Sequence, residues 1–60
     1  MTDTTLRGTD WAQDVCDGIT RDVRSLPKRA AMARKFADLG RYTDEARQLL
    51  RDYADRQVSA

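Results

Sequence analysis

Sixty residues with 11 basic and 10 acidic side chains, a net charge of +1 and 40% hydrophobic content describe one small globular domain rather than a disordered tail. A single cysteine excludes an internal disulfide, and the lack of histidine removes the commonest metal ligand and general base. No apolar run approaches the roughly 20 residues of a membrane helix, and the opening MTDTTLRGTD has neither the basic start nor the apolar stretch of a secretion signal. The expectation is a cytoplasmic protein with no membrane partner. Nine Arg against two Lys, nine Asp against one Glu, and no Asn are the residue choices of a GC-rich genome, as in some bacteria and their phages.

Residues 1–9 offer little apolar side chain beyond Leu6 and are expected to form a loose arm. Thr9 suits an N-cap, with Asp10 favourably placed in the first turn against the helix dipole. Trp11, Val15, Ile19, Val23 and Leu26 then recur at steps of four and three, widened by Ala12 and Cys16 into a core-facing stripe. Asp10, Asp14, Asp17, Arg21 and Arg24 fall on the other side. This pattern predicts a helix over about 10–25. Gly18 either leaves room for the Trp11 indole or a neighbouring helix, or marks a break at Asp17-Gly18; one continuous helix is favoured.

Pro27 is expected to end that helix by disfavouring the helical conformation at Leu26, and to open the next from its first position. The second helix, 27–39, sets Arg29, Met32, Ala33, Phe36, Ala37 and Leu39 on one side and Arg34, Lys35 and Asp38 on the other. Gly40 reads as its C-terminal cap. Thr43, Asp44 and Glu45 then open a third helix, 44–57, whose apolar face is Ala46, Leu49, Leu50, Tyr53 and Ala54. No segment alternates like a strand. The prediction is all-α: a single three-helix bundle spanning 1–60.

The stretch MARKFADLGRYTDEARQLL, about residues 32–50, resembles a tetratricopeptide helical hairpin. It has a large-small pair at Met32-Ala33, an aromatic at Phe36, a Gly-x-Tyr turn at Gly40-Arg41-Tyr42 and an acidic-Ala pair at Glu45-Ala46. Arg29 stands where that family prefers an aromatic, the turn is one residue longer, Tyr53 replaces a small residue, and the closing proline is missing. The resemblance implies protein binding. A helix-turn-helix has a connection of similar length, but Asp44 and Glu45 lie where DNA contacts would be wanted.

Charge is segregated. Residues 1–20 hold one Arg and four Asp, for −3; residues 21–41 hold seven basic and two acidic side chains, for +5; residues 42–60 hold three Arg and four acids, for −1. The basic segment is either complemented within the bundle, the favoured reading, or a footprint for nucleic acid through Lys28, Arg34, Lys35 and Arg41.

Cys16, on the edge of an apolar face without a nearby histidine, reads as an inert packed thiol. Asp10, Asp14 and Asp17 read as a solvated side, and the scattered Gly8, Gly18 and Gly40 do not make a phosphate loop. The expectation is therefore a non-enzyme with no catalytic residue, cofactor or metal site. Trp11, Phe36 and Tyr53 are expected in the core. Tyr42 either packs across the hairpin or stands out beside Arg41 as a protein-interface anchor. The chain has more large apolar groups than three short helices easily hide, which favours a protein-interaction module. Its first expected partner is a second copy in a homodimer, because so short a chain builds a limited core. Nucleic acid is the alternative partner.

Overall fold

The computed structural model describes residues 5–59. It is an all-helical bundle of α1 (Thr9–Asp22), α2 (Leu26–Leu39) and α3 (Asp44–Val58). Among the described residues there is no strand, and the one β-type pairing is an isolated parallel bridge between Arg7 and Tyr42.

That bridge sets where α1 begins. The Arg7 N–H donates to the Arg41 carbonyl at 2.8 Å, and the Thr43 N–H donates to the Arg7 carbonyl at 3.0 Å. The chain leaves the bridge through extended Gly8, whose carbonyl accepts the first helical bond from Ala12. Gly8, not Thr9, is therefore the N-cap, and no side chain caps the helix. Residues 1–4 of the expected loose arm lie outside the described residues. At Arg7 the chain is not loose: two backbone hydrogen bonds hold it.

α1 runs through Asp17-Gly18 unbroken but stops at Asp22, three residues before the predicted end. Pro27 is too distant to be the cause, since its steric effect falls on the residue just before it. The Arg29 side chain supplies the reason. Its Nε–H donates to the Val23 carbonyl, and a terminal N–H donates to the Thr20 carbonyl at 2.9 Å. Last-turn carbonyls have no partner within their own helix, and a cation there is favoured by the helix dipole. Arg29 thus terminates α1 from the first turn of α2.

α2 opens at Leu26 with Pro27 in its first turn, and Gly40 closes it by donating its N–H to the Phe36 carbonyl. Gly40 has φ −77°, an ordinary value, so a left-handed conformation is not why glycine stands there. The reason is contact: a Cβ at Gly40 would lie 2.1 Å from Cε2 of Tyr42. α3 begins as expected, with the Thr43 hydroxyl accepting from the Ala46 N–H at 3.2 Å and Asp44 and Glu45 in the first turn.

Alanine dominates the interior. Ala12, Cys16 and Ile19 of α1, Ala30, Ala33 and Ala37 of α2, and Ala46, Leu50 and Ala54 of α3 are buried, together with Tyr42 from the connector. Tyr42 and Leu50 are the largest fully buried side chains. Small residues let helix axes approach closely, and α2 and α3 form the tightest pair while α1 and α2 form the loosest. Arg34 of α2 meets Asp55 of α3 at 3.2 Å, and Asp38 of α2 meets Arg51 of α3 at 3.9 Å, so the antiparallel seam closes its own charges. α1 is tied to α3 by the Thr20 and Tyr53 hydroxyls, 2.6 Å apart.

Candidate docking surface

The alanine seam decides where the large side chains of α2 go. Ala30, Ala33 and Ala37 occupy the interior, so the bulkier members of the same apolar arc are left outside it, Met32 and Phe36 beside α1 and Leu39 beside Arg7. α1 does not cover them. Its buried positions, Ala12, Cys16 and Ile19, are centred away from Trp11, leaving the indole half in water. Trp11 is 49% exposed, Met32 37%, Phe36 39% and Leu39 74%, against 1% for Tyr42. Trp11 and Phe36 were expected in the core, and the structure corrects both placements. Tyr53 is half-buried and packs against the core.

Met32, Phe36 and Leu39 line an open groove beside α1, and Trp11 stands next to it without lining it. At one end Met32, Lys35, Phe36 and Leu39 face Arg7 and the edge of Tyr42, around a volume of about 460 Å³. At the other, Met32 and Phe36 meet Val15, Gly18, Asp22 and Val23 around about 220 Å³. Gly18 makes no room for the indole or a packed helix, because a Cβ built there meets no atom within 4 Å. The Arg7 guanidinium lies over the Trp11 ring, 4.4 Å from its centroid, and so holds the indole at the groove's edge.

Comparison with protein-family models, curated proteins and solved structures finds no match to this chain. The groove therefore has to be read from its own chemistry. Its charged rim is divided between two helices. Asp14, Gly18 and Asp22 follow one another at steps of four along α1, while Lys28, Met32 and Lys35 share the outward arc of α2. Asp14, Asp22, Lys28 and Lys35 are exposed and form no ion pair among the described residues. The contrast is with the α2–α3 seam, where the charges are matched within the chain.

Of the two placements expected for Tyr42, the structure shows the packed one and not the exposed interface anchor. Its ring is buried against Ala12, Ala37, Ala46 and Leu50, and the close approach to Gly40 holds it there. Arg41 is exposed at the same turn, and its carbonyl accepts the Arg7 N–H. The four nucleic-acid candidates do not form one patch on the fold. Arg34 faces α3 and pairs with Asp55, whereas Lys35 borders the groove on the α2 side and Arg41 lies at the connector. Lys28 is exposed in the first turn of α2. Arg29, part of the same basic run, is spent on the α1 carbonyls.

Cys16 is buried, and burial together with the neighbouring Asp17 carboxylate pushes its thiol pKa up. The thiolate needed for nucleophilic work or metal binding is thereby disfavoured. Among the described residues, no three Cys, Asp or Glu side chains converge as a metal cluster. No helix is long and apolar enough to cross a membrane.

The exposure of Met32, Phe36 and Leu39 in the groove, and of Trp11 beside it, is what a periodicity argument misses. A step-of-three-and-four rule treats every apolar residue on an arc as core. The signal that separates them is the alanine triplet at 30, 33 and 37, which marks the side where backbones meet.

Proposed function

We propose that this chain is a small non-enzymatic protein-interaction module that docks through the α1–α2 groove. One observation carries the reading: Met32, Phe36 and Leu39 in the groove and Trp11 beside it are left substantially in water while alanines fill the core. Contiguous apolar surface of this kind marks partner sites more often than chance exposure. The groove has the form of a seat for an apolar helix face. The sequence resemblance of about residues 32–50 to a tetratricopeptide hairpin would agree with a binding role.

The experiment is capture of partners on immobilised wild type beside Met32→Glu/Phe36→Glu, with helicity of both checked by circular dichroism. The expected result is protein retained by the wild type and lost from the variant. Retention of nucleic acid by both, dependent on Arg34 and Lys35 instead, would replace this reading with a phosphate-binding one. The present arrangement favours docking, because Arg34 is already matched by Asp55 and the basic residues are divided among different faces.

A further inference from the structure

Resting on the docking reading, we infer that the groove's occupant is a second copy of this chain. The two copies meet about a two-fold axis running parallel to α1 and α2. Each acidic α1 rim then lies antiparallel along the basic α2 rim of the other copy.

The charge pattern selects this partner. A self-docking face must be complementary to its own image. Asp22 lines the groove on the α1 side and Lys35 on the α2 side, and helical spacing continues the acidic arc to Asp14 and the basic arc to Lys28, both exposed. A two-fold axis along the helices sets α1 of one copy over α2 of the other and keeps heights along the groove unchanged. Asp22 shares the groove's end with Met32, one turn from Lys28. Asp14 adjoins Val15, which meets Phe36 next to Lys35. Each Asp22 is therefore brought toward Lys28 of the second copy, and each Asp14 toward Lys35. The other in-plane axis, across the helices, stacks acid on acid and base on base. Rim charges of this kind fix orientation more than they add affinity.

The area is also sufficient. Trp11, Met32, Phe36 and Leu39 leave on the order of 400 Å² of apolar surface in water, taking roughly 200 Å² for each full side chain. Interfaces are roughly 60% apolar, so that patch implies about 650 Å² per copy, or about 1,300 Å² in all. Specific, stable interfaces begin near 1,200 Å². The arrangement buries four large side chains from each copy against their equivalents.

The test is a mass measurement by sedimentation equilibrium from about 5 to 500 μM at low salt, spanning the dissociation constants expected of small dimers. The wild type is expected to pass from 6.8 kDa to twice that mass, with Trp11 emission shifting to shorter wavelength over the same range. Asp14→Lys/Asp22→Lys has a wholly basic rim and Lys28→Asp/Lys35→Asp a wholly acidic one. Each alone should associate at least about 10-fold more weakly, and an equimolar mixture should recover a one-to-one heterodimer. All four positions are exposed, and circular dichroism checks that both variants fold. A wild type that stays at 6.8 kDa to the highest concentration overturns the second copy as occupant; groove-dependent capture of another protein would still uphold docking. A dimer that persists in Met32→Glu/Phe36→Glu, or single-rim variants that dimerise like wild type, overturns this geometry.

Discussion

Replacing Gly40 by alanine should destabilise this protein severely, although alanine is ordinarily welcome at its φ of −77° and ψ of 156°. The added Cβ would sit 2.1 Å from Cε2 and 2.6 Å from Cδ2 of Tyr42, and 2.7 Å from the Phe36 carbonyl oxygen. Neither neighbour can yield cheaply. The ring is buried among Ala12, Ala37, Ala46 and Leu50, and the Phe36 carbonyl accepts the Gly40 N–H that closes α2. Relief requires moving the largest buried side chain or opening the end of α2, at about 2–4 kcal/mol on the scale of overpacked or emptied cores. A 60-residue domain has roughly 3–9 kcal/mol in total, so a large share of its stability is at stake. Thermal unfolding followed by circular dichroism should show a midpoint lowered by at least about 10 °C. In a Tyr42→Leu background the same change should cost less, because the two closest collisions, with the ring, are gone and only the Phe36 carbonyl contact remains. Gly18→Ala is the contrast: its Cβ meets open space, so it should stabilise by about 1 kcal/mol through helix propensity. A Gly40→Ala midpoint within about 2 °C of wild type refutes the steric argument, and an equal penalty with and without the Tyr42 ring refutes the ring's part in it.

Arg29→Met should cost about 1.5–3 kcal/mol in urea unfolding, since two carbonyls at the end of α1 lose a charged donor; a loss below about 0.5 kcal/mol would mean that water replaces it fully. The exposed Arg34–Asp55 pair should show a double-mutant coupling below about 1 kcal/mol. In a duplex DNA shift titration, wild type and Arg34→Glu/Lys35→Glu should both fail to bind at about 50 mM salt; tight wild-type binding with a slope near −3.6 in log K against log salt would restore the nucleic-acid reading. Cys16 holds its proton more tightly in the folded state, so unfolding releases it more readily as pH rises. Stability should fall as pH climbs through and above the ordinary thiol value of 9.0, a slope that Cys16→Ala should abolish.

The three helices were legible because the punctuation is strong and local: Pro27, Gly40 and the Thr43-Asp44-Glu45 start are each read from a few neighbouring residues. The end of α1 was not legible, because Val23 leaves the helix in response to Arg29, six positions later in sequence and in a different helix. Tyr42 shows the same limit. Nothing within the turn says that the ring folds back over Gly40; that follows only once α2 and α3 lie together. The groove was half legible. The excess of large apolar residues was visible, but Trp11 and Phe36 were assigned inward, because periodicity gives an arc and not the helix that covers it. Charge segregation was plain in the sequence. Which charges stay unmatched depends on the antiparallel register of α2 and α3, which uses up Arg34 and Asp38 and leaves Lys28 and Lys35.

The bridge between Arg7 and Tyr42 has a kinetic consequence. α2 and α3 meet across a four-residue connector, so their pairing closes a short loop and is expected to come early. The bridge joins positions 35 apart and closes only after the chain between them has been drawn together. It is expected to act as a latch that recruits α1 to a hairpin already in place, and to open at Arg7 without unravelling the alanine seam. In hydrogen exchange, the Thr43 amide, which donates to the Arg7 carbonyl, should therefore exchange faster than the Leu50 amide. Equal protection at the two sites would mean that latch and seam open as one cooperative unit.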